Sequence, residues 1–122
     1  MKLTLNKRDP IYLQVIQFLK QEIISGQLNP GQEIPSRRQL ANDLKINPNT
    51  VQRAYSEMEA EQLIYTEPNR PSRVTEDPNI LKHLKNEWVN HAVKDFVVAI
   101  KTVDISIEEV TDMIKTEMNK QP

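Results

Sequence analysis

The chain has 122 residues, a net charge of −1, 38% hydrophobic and 27% charged residues, and no cysteine. This composition suits one folded, mostly helical domain with a short appendage, and it excludes a disordered tract, disulfides, thiolate metal sites and cysteine nucleophiles. No run approaches the roughly 18 apolar residues of a membrane span, and MKLTLNKRDP at the start lacks a signal-peptide core, so a soluble, cytoplasmic protein is expected.

Asp9-Pro10 reads as an N-cap followed by proline at the first helical position, where its missing N–H costs nothing. Tyr12, Val15, Ile16, Leu19 and Ile23 recur at helical spacing, which predicts a first helix over 10–25. Gly26 closes it, because glycine tolerates the left-handed conformation of a helix end. Leu28-Asn29-Pro30-Gly31 is a turn, and Glu33-Ile34 is expected as a short strand. Ser36, with Gln39 three residues on, forms a capping box for a second helix that buries Leu40, Ala41 and Leu44.

Asn47-Pro48 repeats the cap-then-proline signal and starts a third helix reaching about residue 61, with Val51, Ala54, Tyr55 and Met58 inward. Residues 63–66 and 73–75 are predicted strands, joined through the hairpin 67–72. Asp77-Pro78 is a third such start, for a helix to about residue 102 whose apolar stripe holds Leu81, Leu84, Trp88, Ala92, Phe96, Ile100 and Val103. Ser106 and Glu109 form another capping box, beginning a last helix on Ile107, Val110, Ile114 and Met118. The fold expected is mostly α with a small β wing. Residues 1–76 form a winged helix-turn-helix DNA-binding domain, and residues 77–122 a two-helix dimerisation region with Leu81, Leu84, Trp88, Phe96, Ile100, Val110 and Ile114 at the dimer interface.

Two short helices joined by a tight turn over 35–55 suit a helix-turn-helix, whose second helix reads base edges mainly with its first turns. Those positions hold Asn47, Asn49, Thr50, Gln52 and Arg53. Asparagine and glutamine can pair bidentately with adenine and arginine with guanine, while Thr50 can reach a phosphate or a thymine methyl. Asn47 is also fully explained as a helix cap. Arg37 and Arg38 stand in the first turn of the second helix, where the helix dipole disfavours cations, so an anionic partner such as a phosphate gives them a reason. Asn69, Arg70 and Arg73 complete the DNA-facing set from the wing. Residues 1–75 carry 10 Lys and Arg against 8 Asp and Glu, and residues 76–122 carry 6 against 9, an asymmetry mild enough for ordinary solvated surfaces.

PIYLQ at 10–14, SGQLNPGQEIPS at 25–36, Leu40-Ala41 and NPNTVQRAY at 47–55 together resemble the GntR family of bacterial transcription regulators, in its short YtrA-type branch. The resemblance implies a cytoplasmic, dimeric winged-helix repressor, often of a transporter operon that includes its own gene. It also implies that Arg38, Asn49, Thr50, Gln52 and Arg53 line the DNA surface and that the wing tip enters the minor groove. Three positions depart from the family pattern. Lys45 and Gln62 stand where glycine is usual, and the wing tip is Pro68-Asn69-Arg70-Pro71 instead of a glycine-containing basic turn. A left-handed Lys45 would carry a strain of about 1 kcal/mol, whereas Asn69 accepts positive φ more readily.

Two rival readings stand beside this one. One is a winged helix for protein–protein contact; the other is a metal-responsive regulator using His83, Glu87 and His91, with Asp95 one step further on, although a strict four-residue step drifts around a helix. The partners expected are a near-palindromic double-stranded operator and a second copy of the chain. No cofactor, metal or membrane is expected. An effector, of unknown identity, would sit at the dimer interface or between the two parts. No phosphate loop, acid/base pair or nucleophile arrangement points to an enzyme.

Overall fold

The computed structural model describes residues 2–120 and divides into two compact units, the first ending at Glu87 and the second beginning at Trp88. The first unit contains α1 (Ile11–Ile24), α2 (Arg37–Leu44), α3 (Pro48–Ala60), β1 (Ile64–Tyr65) and β2 (Arg73–Val74). Its last element is the start of α4 (Pro78–Ile100).

The helix starts follow local chemistry with one exception. Ser36 Oγ accepts the Gln39 N–H at 3.1 Å, and Asn47 Oδ1 accepts the Asn49 N–H at 2.8 Å with Pro48 at the first helical position. Asp77 Oδ1 likewise accepts the Asn79 N–H at 2.9 Å. At α1 the expectation fails: Pro10, not Asp9, is the cap residue, and no side chain caps this helix. Asp9 is instead bound to Asn6, whose Oδ1 accepts the Asp9 N–H at 3.0 Å. Gln14 secures the segment by accepting the Asn6 N–H at 2.9 Å and donating to the Asp9 carbonyl, also at 2.9 Å.

α3 lies at the centre of the first unit and packs on both α1 and α2. Val51, Ala54, Tyr55 and Met58 are buried on it, against Val15, Ile16, Leu19 and Ile23 of α1 and Leu40 and Ala41 of α2. Each fully buried aliphatic or aromatic side chain contributes about 1.5–3 kcal/mol, which is what holds three short helices together. Leu44, expected inside, is half-buried. The wing is antiparallel, with Ile64 opposite Val74 and Tyr65 opposite Arg73. Its strands are shorter than expected, and Glu33-Ile34 forms a single bridge to Arg73 instead of a strand. The Ile34 N–H still donates to the Ser72 carbonyl and the Val74 N–H to the Gln32 carbonyl, so the turn after α1 is tied to the wing.

Leu84 is 5% exposed in the core of the first unit, and Leu81 packs partly buried against that core. Both were expected at a dimer interface; both are engaged within the chain, because the first turns of α4 cover the base of the winged helix. In the second unit α4 continues to Ile100, two residues short of the expectation, and α5 (Ile107–Met118) follows a cap in which Ser106 Oγ accepts the Glu109 N–H at 3.1 Å. Among the described residues from Trp88 onward none is buried, and Val93, Phe96, Val97, Met113 and Ile114 are exposed. Among the described residues no helix is long and apolar enough to cross a membrane.

Candidate nucleic-acid interface

The burial of one face of α3 determines what the other can present. With Val51, Ala54, Tyr55 and Met58 inside, Asn49, Gln52 and Arg53 are exposed in its first turns, and Thr50 is half-buried. Asn47 is exposed as well, but its side-chain oxygen is engaged as the helix cap. Gln52 donates one amide hydrogen to Ser56 Oγ at 2.9 Å, a one-turn bond that steadies the side chain and leaves amide capacity for a base edge. The Arg53 guanidinium carbon lies 3.6 Å from the centroid of the Tyr12 ring, and Arg53 Nε is 3.7 Å from Glu57 Oε1.

The two arginines at the head of α2 have different surroundings. Arg38 is exposed. Arg37 reaches back to α3: its Nη2 donates to Glu59 Oε1 at 2.6 Å, its guanidinium sits 5.0 Å from the centroid of Tyr55, and its Nε is buried without a partner. Arg37 therefore braces α2 on α3, an engagement that its expected role as a DNA contact did not include. Tyr55 is fully buried and donates its hydroxyl to the Pro35 carbonyl at 2.7 Å. Burial pushes its phenol up to about 12, against the opposing pull of the Arg37 guanidinium.

Arg73 is likewise engaged within the chain. Its Nη1 donates to the Gly31 carbonyl at 2.8 Å and its Nη2 to Glu33 Oε1 at 2.7 Å, so it anchors the base of the wing. At the tip Asn69 and Arg70 are both exposed, and Asn69 has φ 60°. The other departures from the family pattern behave alike: Lys45 has φ 56° and Gln62 has φ 64°, and among the described residues these three are the positive-φ positions that are not glycine. At two of them the next N–H reaches back to a helix carbonyl (Ile46 to Ala41, Leu63 to Met58), as helix ends closed by a left-handed residue require.

Sequence reasoning passed over Tyr12 and Glu59 as parts of this surface. Glu59 accepts from Arg37 and, at 3.3 Å, from the Thr66 hydroxyl, which in turn pairs with Ser72, so one carboxylate links α2 to the wing. Nothing local signals these partners, which lie 22 and 7 residues away. The Arg53–Glu57 pair, at one-turn spacing, was readable. On α4 the histidines form two separate pairs, His83 with Glu87 at 2.9 Å and His91 with Asp95 at 3.4 Å. Among the described residues no three His, Asp or Glu side chains gather as a metal ion would need.

Two helices at a tight left-handed turn, a β wing beside them and an exposed polar edge on the second helix define a winged helix-turn-helix, a DNA-binding class. Residues 11–74 match the family of bacterial regulatory proteins, gntR family. The chain is 35% identical to the HTH-type transcriptional regulator YhcF of Bacillus subtilis, over 88% of either protein. It is 33% identical to the HTH-type transcriptional repressor YtrA of the same organism, over 87% of this chain and 82% of that one. A GntR family transcriptional regulator from Listeria monocytogenes superposes with a TM-score of 0.84 at 30% identity, covering 92% of this chain and 98% of that one. The protein belongs to the GntR family, in its short YtrA-type form, and is a DNA-binding transcription regulator, not an enzyme.

Proposed function

We propose that the protein represses its own operon in the cytoplasm by binding, as a homodimer, a near-palindromic operator with one α3 in the major groove of each half-site. The carrying observation is the division of α3 into a wholly buried apolar face and an exposed edge of Asn49, Gln52 and Arg53. Arg38 is the phosphate contact, Thr50 touches a phosphate or thymine methyl, and Asn69 and Arg70 approach the duplex from the wing. The similarity to the repressor YtrA supports repression as the outcome. Residues from Trp88 onward supply the dimer contact, through Trp88, Phe96, Ile100, Val110 and Ile114. A helical segment in which no described residue is fully buried, and which exposes Val93, Phe96, Val97 and Ile114, is stable when a second copy covers it. Half-sites would then lie about 34 Å apart, one helical turn of DNA.

The test is selection of bound fragments from the source genome with purified protein, followed by affinity measurements across a salt series. A regulator reading its operator loses affinity steeply with salt and retains a preference for the selected sequence. Binding that is salt-insensitive, or equal for selected and random DNA, overturns the reading.

A further inference from the structure

We propose that Tyr12 is a positioning residue for sequence recognition: its ring holds the Arg53 guanidinium edge-on to the groove as a guanine reader. The proposal rests on α3 being the reading helix. Tyr12 lies in the first turn of α1, half-buried and packed against the core, so its ring is a fixed surface and not a mobile one. The guanidinium lies 3.6 Å from the centroid of that ring. Such a contact uses the π face of the guanidinium and none of its N–H groups, all of which lie in its plane. Glu57 approaches from the Nε side at 3.7 Å. The terminal nitrogens are left, and they form the two-pronged edge that pairs with O6 and N7 of guanine.

The molecule contains its own contrast. Arg37 also faces a tyrosine, but at 5.0 Å, and its Nη2 is engaged by Glu59 at 2.6 Å. Of the two arginines that face tyrosine rings, one has its fork engaged and serves as a brace; the other has its fork open and stands 61% exposed. A long side chain on an exposed helix face ordinarily samples many rotamers, and the ring removes much of that freedom before DNA arrives, which favours the correct base over a wrong one.

The experiment measures relative affinity for the four bases at each position of the selected operator. Arg53→Ala should abolish a guanine preference at one position per half-site. Tyr12→Leu, which keeps apolar bulk but removes the ring, should weaken that same preference about two- to fivefold, the range of an exposed cation–π contact. Tyr12→Phe should retain it, and Tyr12→Leu should add nothing to Arg53→Ala. An unchanged base profile in a folded Tyr12→Leu variant overturns the positioning role while leaving α3 as the reader. An unchanged profile in Arg53→Ala overturns the reading of Arg53 itself. A second measurement needs no change at Tyr12: the Arg53 Nε–H proton, assigned by its loss in Arg53→Ala, should show a ring-current shift in the free protein that persists on the operator. Loss of that shift on binding the operator shows that Arg53 leaves the ring to read DNA, and overturns the proposal.

Discussion

Tyr55 is the largest fully buried side chain among the described residues, with a hydroxyl bonded to Pro35 and a guanidinium above its ring. The folded chain holds the phenol proton up to about 12, whereas the unfolded chain releases it near 10.0. Between those values the folded state binds more protons, so stability falls as pH rises through that window. Chemical denaturation at stepped pH should show this decline in the parent. Tyr55→Phe should flatten it, at the cost of about 1 kcal/mol at neutral pH from the lost hydrogen bond. Lys45 offers a complementary test, because it is exposed and held at φ 56°. Lys45→Gly should stabilise the protein by up to about 0.5 kcal/mol, the left-handed penalty less the added freedom of the unfolded chain. A midpoint that falls would show that Lys45 contributes a favourable contact.

Among the described helices, α2 is the shortest, with 8 residues, and it leans on α3. Its own sequence supplies the Ser36 cap and two buried residues, and the rest comes from Arg37 reaching Glu59 and Tyr55. Arg37→Ala should therefore lower the stability of the winged domain by about 1–2 kcal/mol, with DNA binding reduced only as far as folding is. Arg38→Ala should leave the melting temperature unchanged and weaken binding to all sequences alike, with a shallower salt dependence. Calorimetry alongside a salt series separates the two, and equal behaviour of both variants would contradict their assignment. The wing depends on its surroundings in the same way. Its strands have two residues each, and its position comes from Arg73 on Gly31 and Glu33 and from Glu59 on Thr66.

At the scale of the whole chain, the second unit exposes Val93, Phe96, Val97, Met113 and Ile114, the surface through which the proposed dimer would form. Phe96→Glu places a charge at a residue 41% exposed within that surface. The variant should sediment as a monomer, keep the helical signal of the winged domain, and lose most of its affinity for a two-half-site operator while still binding a half-site weakly. A Phe96→Glu protein that remains dimeric would move the contact elsewhere.

Much was legible in the residues because helix starts and apolar periodicity are local properties. The caps at Ser36, Asn47, Asp77 and Ser106 and the inward residues of α3 follow from neighbours within one or two turns. The family pattern even marked Lys45, Gln62 and Asn69, the three positions that take left-handed backbone without glycine. Long-range pairing was not legible. Nothing near Arg37 or Arg73 shows that Glu59 and Glu33 satisfy them, nothing near Arg53 points to Tyr12, and Leu84 reads as one more member of a stripe until the core reaches it. Periodicity shows that a side chain is apolar or charged on a given face of its own helix. Which surface or counter-charge meets that face depends on chain closure over tens of residues, and only the folded arrangement sets it.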